Sequence, residues 1–149
     1  MSDETLIMTL STGPVTIRLR PDLAPGHVAR IKELAAEGFY DGVVFHRVIA
    51  GFMAQGGDPT GTGRGGSKKP DLKAEFSAAP HKRGACSMAR SSSPDSANSQ
   101  FFICLADSNF LDRQYTVWGV VVDGMENVDA LPKGEPPRAP GQIVSAKVA

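Results

Sequence analysis

The chain has no net charge: sixteen Lys and Arg stand against sixteen Asp and Glu in 149 residues. No global field therefore draws it to nucleic acid or to an anionic membrane, and neither is an expected partner. It also lacks any apolar run near the length of a membrane span. The start, Met1-Ser2-Asp3-Glu4-Thr5, is acidic and polar, without the basic-then-apolar build of a secretory leader, so the expected location is cytoplasmic. Cysteine is scarce. Cys86 and Cys104 form neither a CxxC pair nor a zinc set, and their apolar neighbours make them buried free thiols. His27 and His81 have no second ligand at a metal spacing and read as solvated surface histidines. No metal and no cofactor is expected.

What is present suits one compact domain over residues 1–149, 41% hydrophobic and without repeats or linkers. Leu6, Met8 and Leu10 are spaced by two, as are Val15, Ile17 and Leu19, with turn residues between, which predicts an opening β-hairpin. Pro25 suits a first helical turn, and Val28, Ile31, Leu34 and Ala35 recur at helical spacing up to Gly38, predicting a helix from Ala24 to Glu37. Short apolar runs at 43–48, 52–57, 84–89, 101–105, 116–121 and 143–148 bring the strand count to eight. A second helix is expected from Met125 to Leu131, stopped by Pro132. Many short strands with two helices predict a barrel or sandwich.

Two motifs carry less than their form suggests. Gly61-Thr62-Gly63-Arg64-Gly65-Gly66 satisfies G-x-G-x-x-G, but Ser67-Lys68-Lys69-Pro70 follows in place of an apolar helix, so it reads as a mobile glycine loop. Ser91-Ser92-Ser93-Pro94 has no G-x-S-x-G elbow around it and reads as a polar loop.

The informative stretch runs from Val43 to Asp58, placing an arginine, an amide and large apolar side chains on two adjacent strand candidates. Phe45-His46-Arg47 through Gly51-Phe52-Met53-Ala54-Gln55-Gly56-Gly57-Asp58 resembles the signature strand pair of the cyclophilins. Ser99-Gln100-Phe101-Phe102-Ile103, preceded by Met88-Ala89-Arg90, is similar to that family's other site segment, and the likeness extends from the hairpin to Ile143-Val144-Ser145.

The resemblance implies a mainly β fold, a closed eight-stranded antiparallel barrel capped by two helices, and peptidyl-prolyl cis/trans isomerase activity assisting protein folding. It implies Arg47 as the catalytic residue, an apolar slot for proline formed by Phe52, Met53, Phe102 and Leu111, and Gln55 bonding the substrate backbone. His46 would flank Arg47, with Ala89, Arg90 and Gln100 forming a rim for the residues before proline. The implied partners are proline-containing peptides and unfolded or nascent proteins, bound by a monomer. A second reading is a non-catalytic module that holds proline segments as a chaperone or scaffold.

Two positions depart from the better-known eukaryotic pattern: Phe110 stands where those members carry Trp, and Tyr115 where they carry His. With the Met88-Ala89-Arg90-Ser91-Ser92-Ser93-Pro94 loop in place of the usual Asn-Ala-Gly form, this resembles the bacterial cytosolic branch, and the missing indole N–H implies weakened cyclosporin binding. In a regular strand Phe52 and Gln55 point to opposite faces, so a site using both requires a local irregularity.

Overall fold

The computed structural model describes residues 4–63 and 65–148; the polar start Met1-Ser2-Asp3 and Arg64 of the glycine loop lie outside them. The alternating segments at the start form β1 (Thr5–Leu10) and β2 (Gly13–Leu19), an antiparallel hairpin that pairs Leu6 with Ile17 and Met8 with Val15. All six apolar residues of the pattern are buried in the core, which fixes the register, since a one-residue slip would turn them to water.

Helix α1 (Pro25–Ala36) starts at its proline, and its N-cap, Ala24, has no side chain able to accept a hydrogen bond. The acceptor comes from far along the chain: the N–H groups of Gly26 and His27 donate to the Glu75 carboxylate at 3.2 and 2.8 Å. The His27 ring shares a hydrogen bond through Nδ1 with the same carboxylate and is fully buried. The expectation of a solvated His27 is therefore wrong. Position 27 lies on the inward side of the first helical turn, and burial lowers the pKa of its ring against the pull of Glu75.

Six further strands complete one antiparallel sheet: β3 (Arg47–Ile49), β4 (Met53–Gly56), β5 (Ala85–Met88), β6 (Phe101–Cys104), β7 (Val117–Asp123) and β8 (Ile143–Val148). Their order is β3-β4-β6-β5-β7-β2-β1-β8. Helix α2 (Met125–Asp129) ends two residues before the expected Leu131, because Pro132 turns the chain and Leu131 drops into the core. Among the described residues no helix is long and apolar enough to cross a membrane.

The closed barrel expected from the sequence is an open curled sheet. β3 and β8 stand at its two ends, and the gap is crossed by isolated bridges, Val44 to Gln142 and Val48 to Gly134. The physical reason is the segment between them: Pro132, Pro136, Pro137 and Pro140 have no N–H to donate, so a continuous ladder cannot form. The expected strand 43–48 accordingly joins a ladder only from Arg47 onward.

The central strands are buried on both faces. Val48, Ala54, Cys86, Met88, Phe101 and Ile103 point into the main core with Tyr40, Phe45 and Trp118. Met53, Ala85, Phe102, Cys104 and Leu111 form a second apolar cluster on the opposite face. Cys86 and Cys104 are buried free thiols, as expected, and burial pushes the Cys104 thiol up to about 12.

Candidate active site

The second cluster is the floor of the site. Arg47 on β3 lies opposite Gln55 on β4, and Gln55 lies opposite Phe102 on β6. Directly paired antiparallel residues share a face, so these three side chains form one row across the outer side of the sheet. Met53, two residues before Gln55, points the same way. Phe52 escapes the alternation because it precedes β4, in a turn where its N–H donates to Ile49 O and its carbonyl accepts from Leu105 N–H. The irregularity required by the sequence is this turn at Gly51-Phe52.

Together these groups line a recess of about 150 Å³ whose walls are Arg47, Phe52, Met53, Gln55, Ala89, Arg90, Phe102, Leu111 and Tyr115. Leu111 arrives on a single 3-10 turn, Asn109–Leu111. Gln55, Ala89 and Arg90 also line a larger, polar recess of about 490 Å³, shared with Gly63, Gly65, Ser91, Ser96, Asn98 and Gln100. The two recesses are thus adjacent: the smaller has an apolar floor of Phe52, Met53, Phe102 and Leu111 with Arg47, Gln55 and Arg90 at its edge, and the larger is lined mainly by polar groups.

Two residues of the expected set lie elsewhere. His46 lines neither recess: it is buried, with Nε2 facing Gly63, and burial lowers its pKa while the nearby Asp58 opposes the shift. Phe110 is exposed and lies beside the recess, its ring 5.6 Å from that of Phe52.

Three supports of the recess were not anticipated. His81, expected at the surface, is fully buried behind it. Its backbone N–H donates to Asp112 at 2.7 Å, its Nδ1 meets the same carboxylate at 3.1 Å, and its Nε2 lies 3.0 Å from Ser87 Oγ. The ring stacks on Phe102 at 18°, and Tyr115 meets Phe102 edge-on. Burial lowers the pKa of His81 against the carboxylate, while the His81 backbone N–H holds that of Asp112 down. Arg90, bonded to Gln114 O through Nε and Nη2, places its guanidinium 4.7 Å over the Tyr115 ring.

The glycine loop is the second support, and it is tethered. It wraps the buried Asp58 carboxylate, and Gln100 Nε2 donates to the Gly63 and Gly65 carbonyls at 3.0 and 2.8 Å. Burial pushes the Asp58 pKa up, but the hydrogen bonds from Gly65, Thr60 and Gly63 outweigh it and hold the carboxyl well below the usual range. The third support is Glu135, which accepts a hydrogen bond from Arg47 Nε at 2.8 Å.

A recess floored by Phe52, Met53, Phe102 and Leu111 and edged by Arg47, on the outer face of an eight-stranded sheet with two helices, is the arrangement that the resemblance to cyclophilins implies. Residues 5–148 match the family model described as cyclophilin type peptidyl-prolyl cis-trans isomerase/CLD, and the chain belongs to that family. A probable peptidyl-prolyl cis-trans isomerase of Brucella suis is 54% identical over 143 residues, covering 89% of this chain and 73% of that protein. A peptidyl-prolyl cis-trans isomerase of Helicobacter pylori is 42% identical over 138 residues, covering 89% of this chain and 83% of its own. A cyclophilin type isomerase of Cryptosporidium parvum superposes with a TM-score of 0.93 at 28% identity, covering 99% of this chain and 98% of that one. Its crystal structure in the presence of the dipeptide Ala-Pro superposes with a TM-score of 0.91 at 30% identity, covering 97% and 98%.

Proposed function

We propose that this isomerase accelerates rotation about X-Pro bonds of peptides and unfolded chains by a hydrogen bond from Arg47 to the twisted amide. The observation that carries the reading is a guanidinium on the rim of an apolar recess: Nε is engaged by Glu135, and neither Nη has a partner among the described residues. A planar X-Pro amide resists rotation with a barrier of roughly 18–20 kcal/mol because resonance ties up the nitrogen lone pair. At the twisted state the lone pair returns and accepts a hydrogen bond, so a donor aimed there stabilises the transition state selectively. Guanidinium suits the task, being permanently charged and carrying several fixed donors. Acceleration of ~10⁴-fold corresponds to about 5.4 kcal/mol, within reach of a charge-assisted bond together with positioning.

The proline ring occupies the slot of Phe52, Met53, Phe102, Leu111 and Tyr115, with Gln55 bonding the substrate backbone. The residues before proline lie in the larger recess along Ala89, Arg90 and Gln100. The test is exchange spectroscopy on a short Ala-Pro-Phe peptide. Its pH profile should be flat. A lowered pKa means that the proton leaves His46 and His81 below the ordinary value, and the Cys104 thiol stays protonated up to about 12. Between about pH 7.5 and 9, more than a unit above the ordinary histidine value, these groups do not change charge. A bell-shaped profile in that window would contradict the mechanism.

Phe110, exposed beside Phe52, offers apolar contact but no N–H. Cyclosporin should therefore bind this chain weakly, and Phe110→Trp should tighten it roughly five-fold, the worth of one hydrogen bond. Nanomolar inhibition of the native chain in a titration would refute this.

A further inference from the structure

We infer that Glu135 is a positioning residue for Arg47, holding the guanidinium plane through Nε so that its Nη groups face the substrate. The inference rests on the reading of Arg47 as the donor.

An exposed ion pair ordinarily fixes little, because two long side chains must be ordered against water. This one is built differently, since the backbone beneath it is locked. Val48 N–H donates to Gly134 O at 2.9 Å and Gly134 N–H donates to Val48 O at 2.8 Å, closing a two-bond bridge between β3 and the segment carrying Glu135. Gly134 has φ +144°, and a Cβ there would lie 2.7 Å from Pro137 Cα, so only glycine fits the bridge. Pro136 and Pro137 then restrict the chain that follows. The carboxylate is thereby delivered beside position 47 with little backbone freedom left to lose.

Arg47 needs such a partner. It sits on a three-residue strand at the end of the sheet, its side chain nearly half exposed, and an arginine carries about 2 kcal/mol of rotamer entropy. Its neighbour across the ladder does not restrain it, for Gln55 Nε2 donates to Gln100 Oε1 at 3.1 Å. A bond at Nε fixes the plane of the guanidinium and leaves both Nη donors for the amide. Without it the arginine samples rotamers aimed into solvent, which lowers turnover and leaves the proline slot as it was.

The experiment is full kinetics on a proline peptide for the native chain, Glu135→Ala, Glu135→Gln, Arg47→Ala and the double variant Arg47→Ala/Glu135→Ala. Expected is a five- to ten-fold fall in kcat for Glu135→Ala, ~1.0–1.4 kcal/mol, with KM within two-fold and an unchanged melting temperature. Glu135→Gln, which keeps an acceptor, should fall between. Adding Glu135→Ala to Arg47→Ala should cost nothing more, because both act through one group. If Glu135→Ala matches or exceeds the native kcat while Arg47→Ala collapses, the inference is overturned and the Arg47 mechanism stands. If Arg47→Ala loses nothing, both fall.

Discussion

Arg47→Ala is expected to lower kcat for an Ala-Pro-Phe peptide by about 10²–10³-fold, the loss typical of removing one preorganised donor aimed at a transition state. KM should change little, because the bond to the amide nitrogen forms only in the twisted state. The fold should be indifferent. Arg47 is exposed, its only ion pair among the described residues is with Glu135, and such surface pairs are worth at most about 1 kcal/mol. Arg47→Lys keeps the charge but loses the fork geometry that lets one group bond Glu135 and the substrate together, so it should still fall about ten-fold or more. Exchange spectroscopy at equal protein concentration reads all three chains. Acceleration undiminished in Arg47→Ala would remove the guanidinium from the mechanism. Acceleration by none of them, with the fold intact, would leave a module that binds proline segments without turnover.

How far the sequence foretells this arrangement depends on where each partner lies along the chain. The hairpin and α1 are legible because their apolar residues recur at spacings of two and of three to four, and the expected bounds lie within a residue or two of the observed ones. Closure of the barrel was not legible. It turns on whether 132–141 can donate to β3, a question of missing N–H groups rather than of apolar pattern.

At the site, periodicity alone would send Phe102 and Met53 to the main core, since Phe101-Phe102-Ile103-Cys104 has no polar residue to mark an outer face. The outer face is apolar because His81, Leu111 and Tyr115 arrive from other segments and cover it. Only the resemblance singled those two out. The supports are long-range and left no local mark: His81 and Asp112 are 31 residues apart, Glu75 caps a helix 48 residues upstream, and Glu135 lies 88 residues beyond Arg47. A histidine without a ligand partner nearby in sequence reads as solvated, yet His27 and His81 are buried against the distant carboxylates of Glu75 and Asp112. The glycine loop did carry a clue in Asp58, the residue that closes the signature stretch.

That aspartate yields the largest expected effect on stability. Its carboxylate is buried and accepts from the backbone N–H groups of Thr60, Thr62, Gly63 and Gly65, and from the Thr60 hydroxyl. A Cβ on Gly65 would come within 2.2 Å of Oδ1, so the loop wraps the carboxylate too closely for any side chain there. Asp58→Ala takes the acceptor from the backbone N–H groups of Thr60, Gly63 and Gly65, and leaves Thr62 N–H its longer contact with Thr60 Oγ1 at 3.4 Å. Thr60 and Thr62 are exposed and can turn to water, so the cost falls on the half-buried Gly63 and Gly65 donors; at about 1–3 kcal/mol each, a net loss of ~2–4 kcal/mol follows. In a chain of this size that lowers the melting temperature by roughly 10 °C. Asp58→Asn should fare little better, because its NH₂ would face donors that need an acceptor. The acid limb separates the native chain from both variants. A folded-state pKa held far below the ordinary carboxylate value contributes stability that is complete above about pH 4 and is lost as pH falls below it. The variants lack that contribution and should show a shallower decline in urea melts between about pH 4 and 2. Because Gln100 hangs on the Gly63 and Gly65 carbonyls, the loosened loop should also raise KM for peptides extended before proline while leaving kcat near native. A loss under ~1 kcal/mol would mean that the loop satisfies its own donors and that Asp58 is not what holds it.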